Sequence, residues 1–145
     1  MKIREAQQSD VAQLLELYAY LKDEPRPTEQ SAQETMREIV ADKRHHLLVG
    51  EQDGRIISSC VLVIIPNMTR QCRPYGLIEN VVTMPEARGR GCATALLGRA
   101  CEIAQQEHCY KVMLLTGSKE QSTLDFYRRA GFNSEDKTAF IRWLF

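Results

Sequence analysis

The sequence predicts one domain of α/β (α+β) class over residues 1–145. Two patterns support this prediction. An apolar strand, a glycine turn and a long helix follow one another between Leu77 and Ala104, and two apolar runs meet at Gln52-Asp53-Gly54, a step typical of an antiparallel hairpin. A chain of 145 residues, 43% of them hydrophobic, suits a single core with little room for a second domain.

The composition argues against several kinds of partner. Nineteen basic and nineteen acidic side chains leave no net charge, so no overall field favours nucleic acid or an anionic membrane. The first residues lack the apolar stretch of a signal peptide, and no run is long enough for a transmembrane helix. The five cysteines are widely spaced without C-x-x-C pairs, which predicts free thiols, no metal site and a cytoplasmic protein.

The first half of the chain predicts three strands and two helices, in the order β-α-α-β-β. Residues 2–6 predict a short strand, and Ser9 is a plausible N-cap for an amphipathic helix. A polar segment with two prolines follows, and a second helix is expected over 29–41. Apolar runs over 45–51 and 55–65 form the predicted hairpin.

Two adjacent histidines open the first strand of that hairpin. Neighbouring residues in a strand point to opposite faces, so His45 and His46 are poorly placed to bind one metal ion together. Neither is assigned a catalytic role.

The second half predicts two more strand–helix units. A strand over 77–83 is ended by Pro85, which removes a backbone donor, and a helix follows the glycine turn. A strand over 110–116 and a helix over 120–130 come next. The apolar run over 137–145 is expected to supply a final strand or two.

The glycine turn has the composition of an anion site. A helix N-terminus leaves backbone N–H groups unpaired and carries partial positive charge. Gly89 and Gly91 allow a phosphate to approach those amides, while Arg88 and Arg90 supply charged, fork-shaped donors. The alternative is an ordinary glycine turn with solvated arginines. Neither the dinucleotide-binding nor the Walker pattern fits, because G-x-G-x-x-G and Gly-Lys-Ser/Thr are both missing.

The turn and its surroundings resemble the GNAT superfamily of N-acetyltransferases. Arg88, Gly91 and Ala93 match that family's acetyl-CoA-binding motif, R/Q-x-x-G-x-G/A. The preceding strand is followed by Met84-Pro85, and the later segment from Tyr127 to Phe132 resembles the family's Y-x-x-x-G-F segment, in the expected order. Together these features cover roughly residues 77 to 132.

The resemblance implies a fold and a cofactor site. The fold would be a mixed, mostly antiparallel sheet flanked by helices, with the strands over 77–83 and 110–116 parallel and splayed apart around the pantetheine arm of acetyl-CoA. Amides of pantetheine can replace the ladder partners that diverging strands lose. The resemblance assigns pantetheine to Val81, Val82 and Thr83, and the pyrophosphate to the turn and helix start, Arg88, Gly89, Arg90, Gly91, Cys92, Ala93 and Thr94.

The resemblance also implies the catalytic groups. Tyr127 matches the tyrosine that protonates the departing thiolate, since a phenol remains protonated at neutral pH; the alternative is a packed helix tyrosine. Glu79 would take the amine proton, and its apolar neighbours would make an inward carboxylate costly to ionise; the alternative is an outward-facing strand residue. Relatives often carry asparagine at the position of Glu120, so no contact is assigned there.

The resemblance implies direct transfer of an acetyl group from acetyl-CoA to the primary amine of a small molecule. Both substrates would be bound together in a ternary complex. Two alternatives stay open: a non-catalytic acyl-CoA-binding module, and an enzyme that acetylates protein amino groups. Frequent pairing in the family and the apolar run Phe140–Phe145 suggest a homodimer.

Overall fold

The structure, a computed structural model, describes all 145 residues. Its strands are β1 (Lys2–Glu5), β2 (His45–Gln52), β3 (Arg55–Ile65), β4 (Tyr75–Thr83) and β5 (Val112–Leu114). Its helices are α1 (Val11–Tyr18), α2 (Glu29–Ala41), the single turn α3 (Thr69–Cys72), α4 (Cys92–Gln106) and α5 (Gln121–Arg129). Two 3₁₀ turns, Gln8–Asp10 and Pro85–Ala87, precede α1 and α4.

The five strands form one sheet in the order β1-β2-β3-β4-β5. The first three neighbouring pairs are antiparallel, and β4 and β5 are parallel. A parallel pair needs a crossover connection, which α4 provides. The predicted fold class, a mostly antiparallel sheet flanked by helices and containing one parallel pair, is therefore confirmed.

Helices cover both faces of the sheet, and each face has its own core. On the face covered by α1 and α2, here called the α2 face, the helices contribute the buried Val11, Leu14, Leu17 and Met36. On the face covered by α4 and α5, here called the α4 face, the buried helix residues are Leu96, Leu97, Ala100, Ile103 and Ala104. Both clusters consist of apolar side chains at helical spacing, so burial of these stripes fixes the helices on the sheet.

The parallel pair β4–β5 is short. Gly76, Leu77 and Ile78 pair with Val112, Met113 and Leu114, and the ladder then ends. Beyond Ile78, β4 continues for five residues with a partner on the β3 side only. The two parallel strands thus leave an open edge of β4 between them, and this confirms the expected splayed pair.

A bulge lies in β4 at the start of that open edge. Asn80 and Val81 together stand opposite Cys60, so β4 has one residue more than β3 at this point. Asn80 takes the extra place with φ of 53°, a left-handed conformation that asparagine adopts more readily than most residues. The alternation of faces is preserved around the bulge: Ile78 and Val81 pack on the α4 face, and Val82 packs on the α2 face.

Two predictions for the C-terminal half are wrong: one strand is shorter than expected, and the other does not form. The predicted strand over 110–116 is reduced to the three residues that pair with β4, because a strand exists only where its ladder is satisfied. The predicted final strand over 137–145 does not form. That segment joins no sheet, and Phe140 and Phe145 are 92% and 102% exposed. Apolar composition predicted a strand there, but no strand edge pairs with it.

Candidate active site

The glycine turn before α4 has the geometry of an anion site. Gly89 and Gly91 have φ of 74° and 79°, the left-handed region that glycine adopts without strain. Gly91 is the N-cap of α4, and no side chain caps the helix. A Cβ at either glycine would meet no atom within 4 Å. The first amides of a fifteen-residue helix therefore face open space without an intrahelical partner.

The side chains around this turn divide between structural and exposed positions. Arg88 donates from Nε to the carbonyl oxygen of Thr83, 3.1 Å away, and so ties the turn to the end of β4. Arg90 is exposed. The Cys92 side chain is buried in the α2-face core with its Sγ 3.7 Å from the carbonyl oxygen of Ala87, so only its backbone amide is available to a ligand.

The open edge of β4 leads from this turn toward the centre of the sheet. It contains the three residues assigned to pantetheine. Val81 and Val82 pack on opposite faces, and Thr83 Oγ1 lies 2.7 Å from the hydroxyl of Ser58. Their side chains are held by the core and by β3, which leaves the backbone groups on the β5 side without a strand partner.

Tyr127 lies on α5 and packs on the α4 face. Its ring makes edge contacts with Phe126 and Phe132, at centroid distances of 5.0 and 6.5 Å. Burial raises the pKa of its phenol, and the nearby Cys60 thiol adds to that rise. Cys60 stands opposite the bulge in β4 and belongs to the α4-face core against which Tyr127 packs, so the Tyr127 ring lies near the bulged region of the sheet. A phenol with a raised pKa is fully protonated at neutral pH, as a general acid requires.

Glu79 lies immediately before the bulge, and it faces the α2 side of the sheet. It is an exposed side chain that lines a cavity between α1, α2 and the sheet. The structure thus resolves the direction in which this residue points, which strand alternation alone left open. The carboxylate is accessible to solvent and is not buried among its apolar neighbours.

The cavity beside Glu79 has a volume of about 410 Å³. Leu47, Val61 and Val63 form its floor on the sheet, and side chains of α1 and α2 form its wall. Such a space, largely apolar with a few polar groups, is typical of a small-molecule site. It adjoins the open edge of β4 at the bulge, where Glu79 and Asn80 both line it.

Sequence reasoning missed two residues of this cavity. Asn80 reaches it because the bulge turns two consecutive residues toward one side, and a bulge leaves no clear periodic signal. His45 lies on the same face as Leu47, and its Nε2 is buried without a hydrogen-bond partner. Burial lowers the pKa of His45, which favours its neutral form. The residue spacing placed His45 and Leu47 on one face, but it could not show which face holds the cavity.

The fold and the geometry of the glycine turn are those expected of a GNAT N-acetyltransferase. The comparisons agree: the sequence pattern of the Acetyltransferase (GNAT) family matches residues 11–132. The chain belongs to the GNAT family. Within the structure, no group of three or more His, Cys, Asp or Glu side chains could hold a metal ion. None of its helices combines the length and hydropathy needed to cross a bilayer.

Three known proteins show how far the similarity extends. A glucosamine 6-phosphate N-acetyltransferase of Trypanosoma brucei brucei is 34% identical over 94% of this chain and 92% of its own length. Glucosamine 6-phosphate N-acetyltransferase 1 of Oryza sativa subsp. japonica is 29% identical over 90% of this chain and 80% of its own length. A solved structure from Agrobacterium tumefaciens str. C58 is 39% identical, with a TM-score of 0.93 over 99% of this chain and 100% of that one.

Proposed function

We propose that this protein transfers the acetyl group of acetyl-CoA directly to the primary amine of a small molecule, with both substrates bound together. One observation supports this most strongly: the cavity on the α2 face meets the open edge of β4 at the bulge, where Glu79 lines the cavity. A thioester held along that edge and an amine held in the cavity would be neighbours. The activities named for the two curated relatives also involve a small amine.

The turn before α4 would hold the cofactor's pyrophosphate. The free amides at the start of α4 and the charge of Arg88 and Arg90 suit its oxygens, and the open space above Gly91 admits them. The backbone along Val81, Val82 and Thr83 would pair with the pantetheine amides. Acetyl-CoA supplies the thioester that the reaction consumes.

The chemistry then needs two proton transfers. Glu79 accepts a proton from the ammonium group, and the freed nitrogen lone pair attacks the thioester carbonyl carbon. As the tetrahedral intermediate collapses, the C–S bond breaks, its electron pair stays on sulfur, and Tyr127 donates the proton that yields the CoA thiol. The second amine proton leaves the new amide nitrogen and, through solvent, restores the Tyr127 phenol. The products are the N-acetyl amine, CoA and one proton.

The test is acetyl-CoA turnover with and without primary amines. An enzyme releases CoA and forms an N-acetyl product that mass spectrometry detects, whereas a binding module shows calorimetric affinity for acetyl-CoA and no amine-dependent CoA release. Glu79→Gln should lower kcat/KM most near neutral pH, where the amine must lose a proton, and least at a pH above the amine's own pKa. Glu16→Gln, on the exposed side of α1, is the matched control.

A pH-independent effect of Glu79→Gln would remove the base assignment and leave the transfer reaction intact.

Two further properties belong to the same proposal. The five cysteines are all free thiols, which supports a reducing compartment such as the cytoplasm. The exposed apolar C-terminal residues support a homodimer.

A further inference from the structure

The cavity beside Glu79, here called the acceptor cavity, has few charged residues in its lining. Of its sixteen lining residues ten are hydrophobic, and Glu79 is the only one that is charged at neutral pH. No lysine or arginine lines it. Burial lowers the pKa of His45, and this effect outweighs the opposing influence of Asp42 and Glu5. A lining with one carboxylate and no lysine or arginine favours a cationic ligand group over an anionic one.

The smaller adjoining cavity does not change this preference. It shares Ile39, His45 and Leu47 with the acceptor cavity, and its charged residues are Glu5, Asp42 and Lys43. Two carboxylates thus face one ammonium group, although Glu5 also accepts a 2.8 Å contact from His46. A phosphate group in either space would lie nearer to carboxylates than to the cations and donor clusters that bind phosphate in proteins.

The cavity has an apolar floor that separates Glu79 from His45. Glu79 stands opposite Val61 in the sheet, and His45 stands opposite Val63, two residues further along β3. With strands about 4.8 Å apart and about 3.3 Å per residue, the Cα atoms of Glu79 and His45 are roughly 12 Å apart. Between them the floor is formed by valine and leucine side chains.

We propose that the acceptor is a primary amine carried on an apolar, uncharged body, such as an arylalkylamine, and is not a phosphorylated amino sugar. The ammonium group lies at Glu79, next to the thioester, and the apolar body covers the valine and leucine floor. This assignment rests on the proposed acetyl transfer and specifies its substrate class.

Four amines test the assignment with the full chain and acetyl-CoA: 2-phenylethylamine, tyramine, glucosamine and glucosamine 6-phosphate. We expect kcat/KM for the two arylalkylamines to exceed that for glucosamine 6-phosphate by about tenfold or more. Turnover that is fastest with either amino sugar would overturn the substrate class and leave the acetyltransferase proposal standing. Acetyl-CoA binding with no acetylation of any of the four amines would overturn the substrate class, and turnover with other primary amines then tests the transfer reaction itself.

A charge introduced at the cavity wall gives a second, independent test. Thr35 lines the cavity from α2 and is exposed, so Thr35→Lys adds a cation there with little effect on folding. We expect KM for 2-phenylethylamine to rise about tenfold, with KM for acetyl-CoA unchanged. Gln30→Lys adds the same charge on an exposed part of α2 outside the cavity and should change neither value. An unchanged amine KM in Thr35→Lys would show that the amine binds elsewhere.

Discussion

Tyr127 is held in place by its aromatic neighbours on the α4 face. Edge contacts with Phe126 and Phe132 fix its ring, and it packs against the core cluster that contains Cys60, which stands opposite the bulge. Burial there raises the pKa of the phenol and keeps its proton available. As the proposed general acid, Tyr127 would make a stronger hydrogen bond to a developing thiolate in these low-dielectric surroundings. Glu79, on the other face of the same strand region, is exposed.

The role of Tyr127 leads to a prediction about rate. Tyr127→Phe keeps the ring and its aromatic packing but removes the proton donor. The rate of the chemical step should fall by about 10²–10⁴-fold, while acetyl-CoA affinity and folding stay nearly unchanged. Single-turnover acetylation measures that step directly. Tyr20→Phe, at a half-exposed position after α1, is the matched control; full single-turnover rates in both variants would exclude Tyr127 as the acid.

At the scale of elements, the start of α4 depends on the backbone more than on side chains. Gly91→Ala puts a Cβ into the open space above the free amides and forces alanine into a left-handed conformation, which costs about 1–2 kcal/mol. Gly54 is a close match, with φ of 76° and no neighbour within 4 Å, but it lies in the β2–β3 hairpin. We expect both alanine variants to lose similar stability.

Acetyl-CoA affinity should separate the two variants. Gly91→Ala should weaken binding by about tenfold or more, equivalent to about 1.4 kcal/mol, because the Cβ occupies space needed by the pyrophosphate. Gly54→Ala should bind normally. Calorimetry on the folded proteins measures both affinities, and equal values would mean that the pyrophosphate binds at another position.

Hydrogen bonds from Arg4 on β1 hold this N-terminal strand next to the start of α1. The guanidinium group of Arg4 donates to both carboxylate oxygens of Asp10, at 2.7 and 3.0 Å, and its Nε donates to Glu51 on β2. Asp10 is 5% exposed and also accepts from the backbone N–H of Gln7. The hydrogen bonds from Arg4 hold the pKa of Asp10 below its ordinary value of 3.8.

This arrangement predicts a pH-dependent contribution to stability. Asp10→Asn should destabilise the fold by about 1–3 kcal/mol at neutral pH, since a charged hydrogen-bonded group is lost. Because the folded-state pKa is lowered, the contribution is complete above the unfolded value and is lost as pH falls through the folded value. Urea unfolding between pH 7 and pH 3, with exposed Asp23→Asn as control, should show the variant's deficit shrinking below about pH 4. A constant deficit would assign the effect to packing.

The elements differ in how much the sequence could determine about them. Helix α2 (Glu29–Ala41) and strand β3 (Arg55–Ile65) were predicted to the residue, because a side-chain cap at Thr28 and the hairpin turn mark their ends locally. Strand β5 and the bulge at Asn80 depend on which strand pairs with which, so local patterns do not determine them. The motif located the glycine turn and Tyr127, whereas His45 became visible only through the tertiary position of its strand.

At the scale of the molecule, the two faces of the sheet have different proposed roles, and both faces adjoin the bulge in β4. The α4 face provides Tyr127 and the helix whose N-terminus is open to an anion, and the α2 face provides the acceptor cavity. The bulge at Asn80 and the divergence of β5 interrupt the two ladders of β4 between these faces. Under the proposed function, changes in α1 and α2 would alter the substrate specificity while the cofactor side of the sheet stays constant.

The last prediction concerns assembly. Phe140, Ile141 and Trp143 are 92%, 62% and 67% exposed, and Leu144 and Phe145 are more than 85% exposed. Within the chain this segment makes few stabilising contacts. Among aromatic and cationic partners, Trp143 contacts only Phe145 and the ammonium group of Lys22. A contiguous apolar surface of this kind is characteristic of an interface. We predict a homodimer in which these side chains are buried, because closed two-fold pairing is the commonest way to cover such a surface.

Sedimentation equilibrium at micromolar concentration tests this directly. The wild-type chain should sediment at about twice the mass of one protomer, 16.6 kDa. The double change Phe140→Ser and Leu144→Ser should shift it toward the monomer, because each serine removes most of the apolar area of the side chain that it replaces. Met68→Ser removes an isolated apolar side chain that is 91% exposed and should leave the dimer unchanged. A monomeric wild-type protein would contradict the prediction, and a dimer unaffected by the double change would place the interface on another surface.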